Sequence, residues 1–148
     1  MTFIASIDNS IQIMDRVSRS IRSQVMSSVR STGTRLEDQL ADILQRICRI
    51  KFERNPTDIE GRPDFVARRR KIAIFVDSCF WHGCRWHCRM PASNRSYWTS
   101  KIARNRARDK IVNVVLRRAG WTVIRIWEHA LKDESQLAKV ITKIKLAL

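Results

Sequence analysis

Two stretches bring together residue types that suit hydrolytic metal chemistry. Gly61-Arg62-Pro63-Asp64-Phe65-Val66 sets an aspartate behind a rigid proline at the head of a strand. A short apolar run later, Cys79-Phe80-Trp81-His82-Gly83-Cys84-Arg85-Trp86-His87-Cys88 carries three of the four cysteines and two of the three histidines. A carboxylate fixed by backbone can hold Mg²⁺, which takes one or two carboxylates and completes its octahedron with water and phosphate oxygens. An imidazole that titrates near neutral pH can deprotonate a water attacking phosphorus, or stabilise the charge that builds there. Asp64 and His82 are therefore the first candidates for catalysis.

The soft ligands form a second set. Cys79-x4-Cys84-x2-His87-Cys88 has the density of a structural zinc site, which takes four Cys or His ligands in a tetrahedron. His129, in Trp127-Glu128-His129, supplies a distant fourth ligand. The preferred set is Cys79, Cys84, His87 and His129, with Cys88 the alternative to His87. Cys48 stands apart and reads as a small core residue.

Three further carboxylates are candidates. Glu37 follows Thr34-Arg35-Leu36 in a capping-box pattern and falls in the first turn of a helix. Asp109 shares a helix face with Asn105. Either can hold water bound to a metal. Asp77 directly follows an apolar strand, where a second metal-binding acid can sit. Phe80, Trp81, Trp86, Tyr97 and Trp98 are interleaved with Arg85, Arg89, Arg95 and Lys101; such rings can wedge into a base step and unstack it. Tyr97 and Trp86 are the two expected to pack into the core instead.

The elements that must position these groups follow from pattern. Leu36, Leu40, Ile43, Leu44 and Ile47 recur at helical spacing. Asp64–Ala67 and Ile72–Val76 read as adjacent strands joined by the charged turn Arg68–Lys71. The nearly continuous apolar character of Ile72–Val76 suits a central strand. Asp77–Ser96 reads as a loop organised by metal. Tyr97–Arg118 reads as one long helix, with Ile102, Ile111, Val115 and Leu116 apolar and Gly120 ending it. Trp121–Trp127 is a strand and Ser135–Leu148 a final amphipathic helix. The order α-α-β-β-β-loop-α-β-α implies one α/β domain with a small mixed sheet, spanning residues 18–148 behind a flexible extension over 1–17.

Composition narrows the partner. The 148 residues carry 29 Lys+Arg against 14 Asp+Glu, a net charge of +15, and the pI is near 11.0. Such an excess calls for a polyanion, and nucleic acid is the default. No run approaches the roughly 20 apolar residues of a membrane span. The N-terminus does not read as a secretory signal, and clustered thiols favour metal in a reducing compartment. The expected location is the cytoplasm, at the nucleoid.

The chain resembles the very-short-patch repair (Vsr) endonucleases, which nick DNA beside a T:G mismatch. The resemblance rests on Arg22-Ser23-Gln24-Val25-Met26, the Thr-x-x-Glu helix start at Glu37, GRPDFV at 61–66, and CFWHGC at 79–84. It continues through Pro91 to Trp98, Asn105-x3-Asp109, and Gly120-Trp121 to Trp127-Glu128-His129, in the family's order. It implies a restriction-endonuclease-like fold of the PD-(D/E)xK type with a structural zinc. It also implies that Asp64 and the Val76 carbonyl hold catalytic Mg²⁺, that His82 activates or orients water, and that Glu37 and Asp109 anchor metal-bound waters. By the same resemblance Phe80, Trp81 and Trp98 enter the DNA from one groove and Met26 from the other, with Arg22 a further DNA contact. Val76-Asp77-Ser78 stands where many such nucleases carry a lysine, consistent with a histidine taking over its work.

The expected activity is Mg²⁺-dependent nicking 5′ to the mispaired T, which initiates very short patch repair. The expected partner is double-stranded DNA with a T:G mismatch. Mismatch-repair proteins are candidate associates, and a monomer suffices for a nick. The rival readings are a restriction-type nuclease that cuts matched DNA and a zinc-stabilised DNA-binding module without catalysis.

Overall fold

The computed structural model describes Ser18, Ser20 and residues 35–148. Arg22, Met26, Thr34 and the boundary expected at residue 17 lie outside the described residues. Within them the order is α1 (Arg35–Ile47), β1 (Glu53–Arg54), β2 (Phe65–Ala67), β3 (Ile72–Asp77), α2 (Arg95–Arg118), β4 (Thr122–Trp127) and α3 (Glu134–Ala147). Single 3-10 turns follow β2, at Arg68–Arg70, and β4, at Glu128–Leu131. Among the described residues no helix is long and apolar enough to cross a membrane.

The sheet runs in the order β1-β2-β3-β4. The first two pairings are antiparallel and β3 pairs with β4 in parallel. Parallel neighbours need a long crossover, and α2 provides it. Between β2 and β3 the chain turns tightly enough that Lys71 adopts a left-handed φ of 50°.

Period-two alternation assigns each strand residue to a face. Phe65, Ala67, Ile72, Ile74, Ile124 and Ile126 point to one side, where Leu40 and Leu44 of α1 and Ile144 of α3 cover them. Val66, Ala73, Phe75 and Val123 point to the other, against Val112 and Leu116 of α2. The expected small mixed sheet flanked by helices is the architecture found, with β3 at its centre.

Helix α2 departs from its expected apolar face. Ile111 and Val115 are 63% and 44% exposed. The buried residues are Trp98, Ile102, Val112 and Leu116. Their spacing leaves a gap in the stripe, filled by the partly buried Asn105 and Asp109. The helix is thus apolar where Val112 and Leu116 cover the sheet and polar where Asn105 and Asp109 meet the loop after β3. Two glycines let the chain pass close to it. A Cβ on Gly61 (φ +75°) would lie 2.3 Å from Val112 Cγ1, and one on Gly83 (φ +64°) 2.6 Å from Ile102 Cγ2.

Candidate active site and metal centre

The alternation that buries the sheet also aims its polar residues. Asp64 is two residues before Val66, Asp77 two after Phe75, and Arg125 two after Val123. Asp77 and Arg125 therefore emerge on the α2 face, where Arg125 reaches Asp109 and Asn113, and the charges of both act on Asp64.

Asp64 is fixed at both its backbone and its side chain. Its N–H donates to the Ile74 carbonyl at 2.9 Å. Its Oδ2 accepts from the Val76 N–H at 2.6 Å, where the β2–β3 ladder has run out. Burial pushes the Asp64 carboxyl up to about 7; the Val76 hydrogen bond opposes this, while the charges of Glu37 and Asp77 reinforce it. Glu37 is itself only 2% exposed, with Asn55 Nδ2 3.5 Å from its Oε2. Carboxylates whose charges raise a neighbour's pKa in a partly buried setting are chemically suited to a hard divalent ion.

Beside Asp64 lies a connected polar network. His82 Nδ1 is 2.6 Å from Asp109 Oδ2 and 3.7 Å from Asp77 Oδ1. Asn105 Nδ2 donates to the Trp81 carbonyl at 2.9 Å, which holds the loop that carries His82 against α2. Asp77, considered above as a metal-binding acid, is paired with a cation in this structure. Arg125 Nε and Nη2 donate to its two oxygens at 2.6 and 2.7 Å. Sequence reasoning missed Arg125. The available signal was a lone charge in the middle of a strand, on the parity of Val123.

The soft-ligand cluster forms as expected. Ligand atoms of Cys79, Cys84, His87 and His129 all lie within 4.8 Å of one another. Cys79 Sγ is 3.1 Å from His129 Nδ1, and Cys84 Sγ is 3.5 and 3.7 Å from the Nδ1 atoms of His87 and His129. Tetrahedral Zn²⁺ with two S and two N ligands places those atoms roughly 3.3–3.8 Å apart, so the donor set fits. Burial pushes the Cys79 thiol up to about 12, and neighbouring Glu128 and Cys84 push the same way. Burial and the nearby His87 hold His129 below its ordinary range. Cys88 is outside the cluster; its Sγ faces the Phe80 carbonyl at 3.7 Å. Glu128 braces the site by accepting from the Cys79 N–H at 3.1 Å and from Lys132 at 2.7 Å.

The rings sort differently from expectation. Trp98 is fully buried and Phe80 is 8% exposed. They meet edge-on at 5.6 Å, with the partly buried Trp81 and Tyr97 packed against them. Phe80 and Trp98 are interior rings in this structure, each packed against the other's edge. Trp86, expected in the core, is instead 76% exposed, with the Arg85 guanidinium 5.0 Å from its ring centroid. Tyr97 packs as expected.

Carboxylates thus gather beside a His–Asp pair, and three of the four clustered Cys/His residues share a loop with His82. The family model described as DNA mismatch endonuclease Vsr matches residues 14–88. The type II nicking enzyme V.NaeI of Lentzea aerocolonigenes is 40% identical over 125 residues, 82% of this chain and 75% of that one. V.NmeDIP of Neisseria meningitidis serogroup C is 34% identical over 149 residues, 89% of this chain and all of that one. The DNA mismatch endonuclease Vsr of Escherichia coli (strain K12) is 33% identical over 122 residues, 80% of this chain and 76% of that one. The chain belongs to the Vsr family of DNA mismatch endonucleases. It is accordingly a DNA-binding hydrolase of DNA repair, and the family implies a restriction-endonuclease-like fold and use of a divalent metal.

Proposed function

We propose that the protein is a Mg²⁺-dependent endonuclease of the PD-(D/E)xK type that nicks one strand 5′ to the mispaired T of a T:G mismatch. Such a nick initiates very short patch repair. The observation that carries this reading is the convergence of Asp64 and the His82–Asp109 pair around Asp77, with Asp77 itself engaged by Arg125.

Asp64 and the Val76 carbonyl would hold the ion. Along a strand the N–H and C=O of one residue point to the same side, so the carbonyl of Val76 turns toward Asp64 as its N–H does. When bound, Mg²⁺ supplies Lewis-acid stabilisation of the charge that develops on the phosphate. His82 Nδ1–H donates to Asp109, which leaves Nε2 with a free lone pair. That nitrogen takes a proton from the attacking water. The water oxygen bonds to phosphorus, the P–O3′ bond breaks, and the leaving O3′ takes a proton from solvent water, giving a 5′-phosphate and a 3′-hydroxyl. Glu37 orders water beside Asp64. Asp109 positions His82 and, through Asn105 on the same helix face, shares in fixing the loop.

Cys79, Cys84, His87 and His129 would hold Zn²⁺, which ties the loop bearing His82 to the end of β4. Met26 and Arg22 would reach the duplex together with Trp81; Phe80 and Trp98 would join them once their packed cluster opens. The enzyme would act as a monomer in the cytoplasm, at the nucleoid, through residues 18–148, with mismatch-repair proteins as candidate associates.

The test is nicking of end-labelled duplexes of one sequence, with T:G or T:A at a single position, in Mg²⁺. The expected result is one cut, 5′ to the mispaired T, on the T:G duplex. Equal cutting of both duplexes would favour the matched-DNA nuclease. Binding with no cutting under any divalent ion would favour the non-catalytic module.

A further inference from the structure

We infer that Arg125 is a positioning residue for the nicking reaction, a clamp that leaves His82 a single carboxylate acceptor. The inference rests on the proposed role of His82 and goes beyond it, because Arg125 belongs to no part of that chemistry.

Two carboxylates stand within reach of His82 Nδ1, Asp109 at 2.6 Å and Asp77 at 3.7 Å. Left alone they would repel each other and compete for the ring, which would then have two orientations. Arg125 removes the competition. Its Nε and Nη2 engage both oxygens of Asp77, at 2.6 and 2.7 Å. Nη2 also lies 3.0 Å from Asp109 Oδ1. Asp109 Oδ2 is left facing His82.

The guanidinium is itself held on every side. Nη1 donates to Asn113 Oδ1 at 3.2 Å, and the cation lies 4.6 Å from the centroid of Phe75. Its side chain is 18% exposed and that of Asp77 7%. Within this partly buried setting the planar fork gives Arg a geometry that Lys cannot reproduce. The network also spans three elements: Asp77 ends β3, Asp109 lies on α2 and Arg125 is in β4. Arg125 is therefore the cross-link that registers the helix bearing Asp109 against the strand end from which the His82 loop departs.

The test is a set of single-turnover nicking rates on a T:G duplex, with duplex Kd and thermal unfolding measured alongside. The variants are Arg125→Met, Arg125→Lys, His82→Ala and the double variants Arg125→Met/His82→Ala and Arg125→Lys/His82→Ala. Arg125→Met is expected to lower the rate roughly 10–100-fold, the usual span for groups that orient a site residue, with Kd changed less than about threefold. Arg125→Lys, which keeps charge but not the fork, falls between it and wild type. In the His82→Ala background either Arg125 change should cost less than about threefold, because residues acting through one group are non-additive.

A wild-type rate for a folded Arg125→Met or Arg125→Lys, beside an impaired His82→Ala, overturns this inference alone. An undiminished loss in the His82→Ala background does the same, since Arg125 would then act elsewhere. If Arg125→Met does not fold, Arg125→Lys and its double carry the decision. A wild-type rate for His82→Ala itself overturns the proposed reaction, and the clamp with it.

Discussion

His82 Nδ1 lies 2.6 Å from Asp109 Oδ2, and this contact decides which ring nitrogen is left without a carboxylate partner. A carboxylate only accepts, so Nδ1 carries the hydrogen and Nε2 is the nitrogen left for the base role proposed above. Asp109→Asn presents an amide that can donate to Nδ1 and stabilise the opposite tautomer. Its single-turnover nicking rate should fall about 10²-fold or more while duplex affinity stays near wild type. A loss of affinity equal to the loss of rate would instead make Asp109 a DNA contact.

The raised pKa of Asp64 makes a stability prediction. With its carboxyl near 7 in the folded protein against an ordinary 3.8, the metal-free folded state binds more protons than the unfolded state between those values. Stability from this group therefore falls as pH rises from about 4 to 7, and the penalty is complete above 7. Asp64→Asn should flatten that slope and stabilise the metal-free protein at pH 8 by about 1–3 kcal/mol. Denaturant melts of both proteins at pH 5 and 8 in EDTA measure it. An unchanged pH difference would mean that Asp64 ionises freely.

The Cys/His centre should hold one zinc per chain by elemental analysis. Removing it with a chelator, or changing Cys84→Ala, should lower Tm by on the order of 10 °C, as expected for loss of several kcal/mol in a domain of this size. Cys88→Ala should keep the zinc, because its Sγ faces the Phe80 carbonyl and not the cluster. Zinc lost from Cys88→Ala and kept by His87→Ala would reverse that assignment.

Gly83 sits between His82 and Cys84 at φ +64°, with Ile102 Cγ2 2.6 Å from where a Cβ would be. Gly83→Ala combines a left-handed strain with a clash against a buried helix residue. The expected cost is about 1–3 kcal/mol, and the nicking rate should drop as the loop shifts His82. Melts and rates that match wild type would show that the loop is looser than this packing implies.

Much of the frame was legible because its signals are local. The apolar run Ile72–Val76 gave the central strand, and the clustered thiols with Trp-Glu-His gave the Cys/His cluster, since ligand spacing survives without knowledge of the fold. What escaped was tertiary. Arg125 is unremarked in a strand of β-formers until parallel pairing sets Phe75 opposite it and Asp77 within its reach. Trp98 and Trp86 exchanged their expected places because an aromatic in a basic segment reads alike inside and out. The residue that fills the gap beside Phe80 is chosen by the entry angle of α2, which no pattern along the chain records. Asp109 shows the same limit. Its helix face could be read, but its oxygens are engaged by His82 and Arg125 from two other elements.

The proposed reaction stands on Asp64, so the most direct measurement pairs Asp64→Ala with wild type in Mg²⁺, following both duplex Kd and single-turnover nicking of a T:G substrate. The predicted result is binding within about threefold of wild type and no detectable nick. Nicking by Asp64→Ala at the wild-type rate would contradict the account, because the phosphodiester would then be cut without the carboxylate to which the ion is assigned.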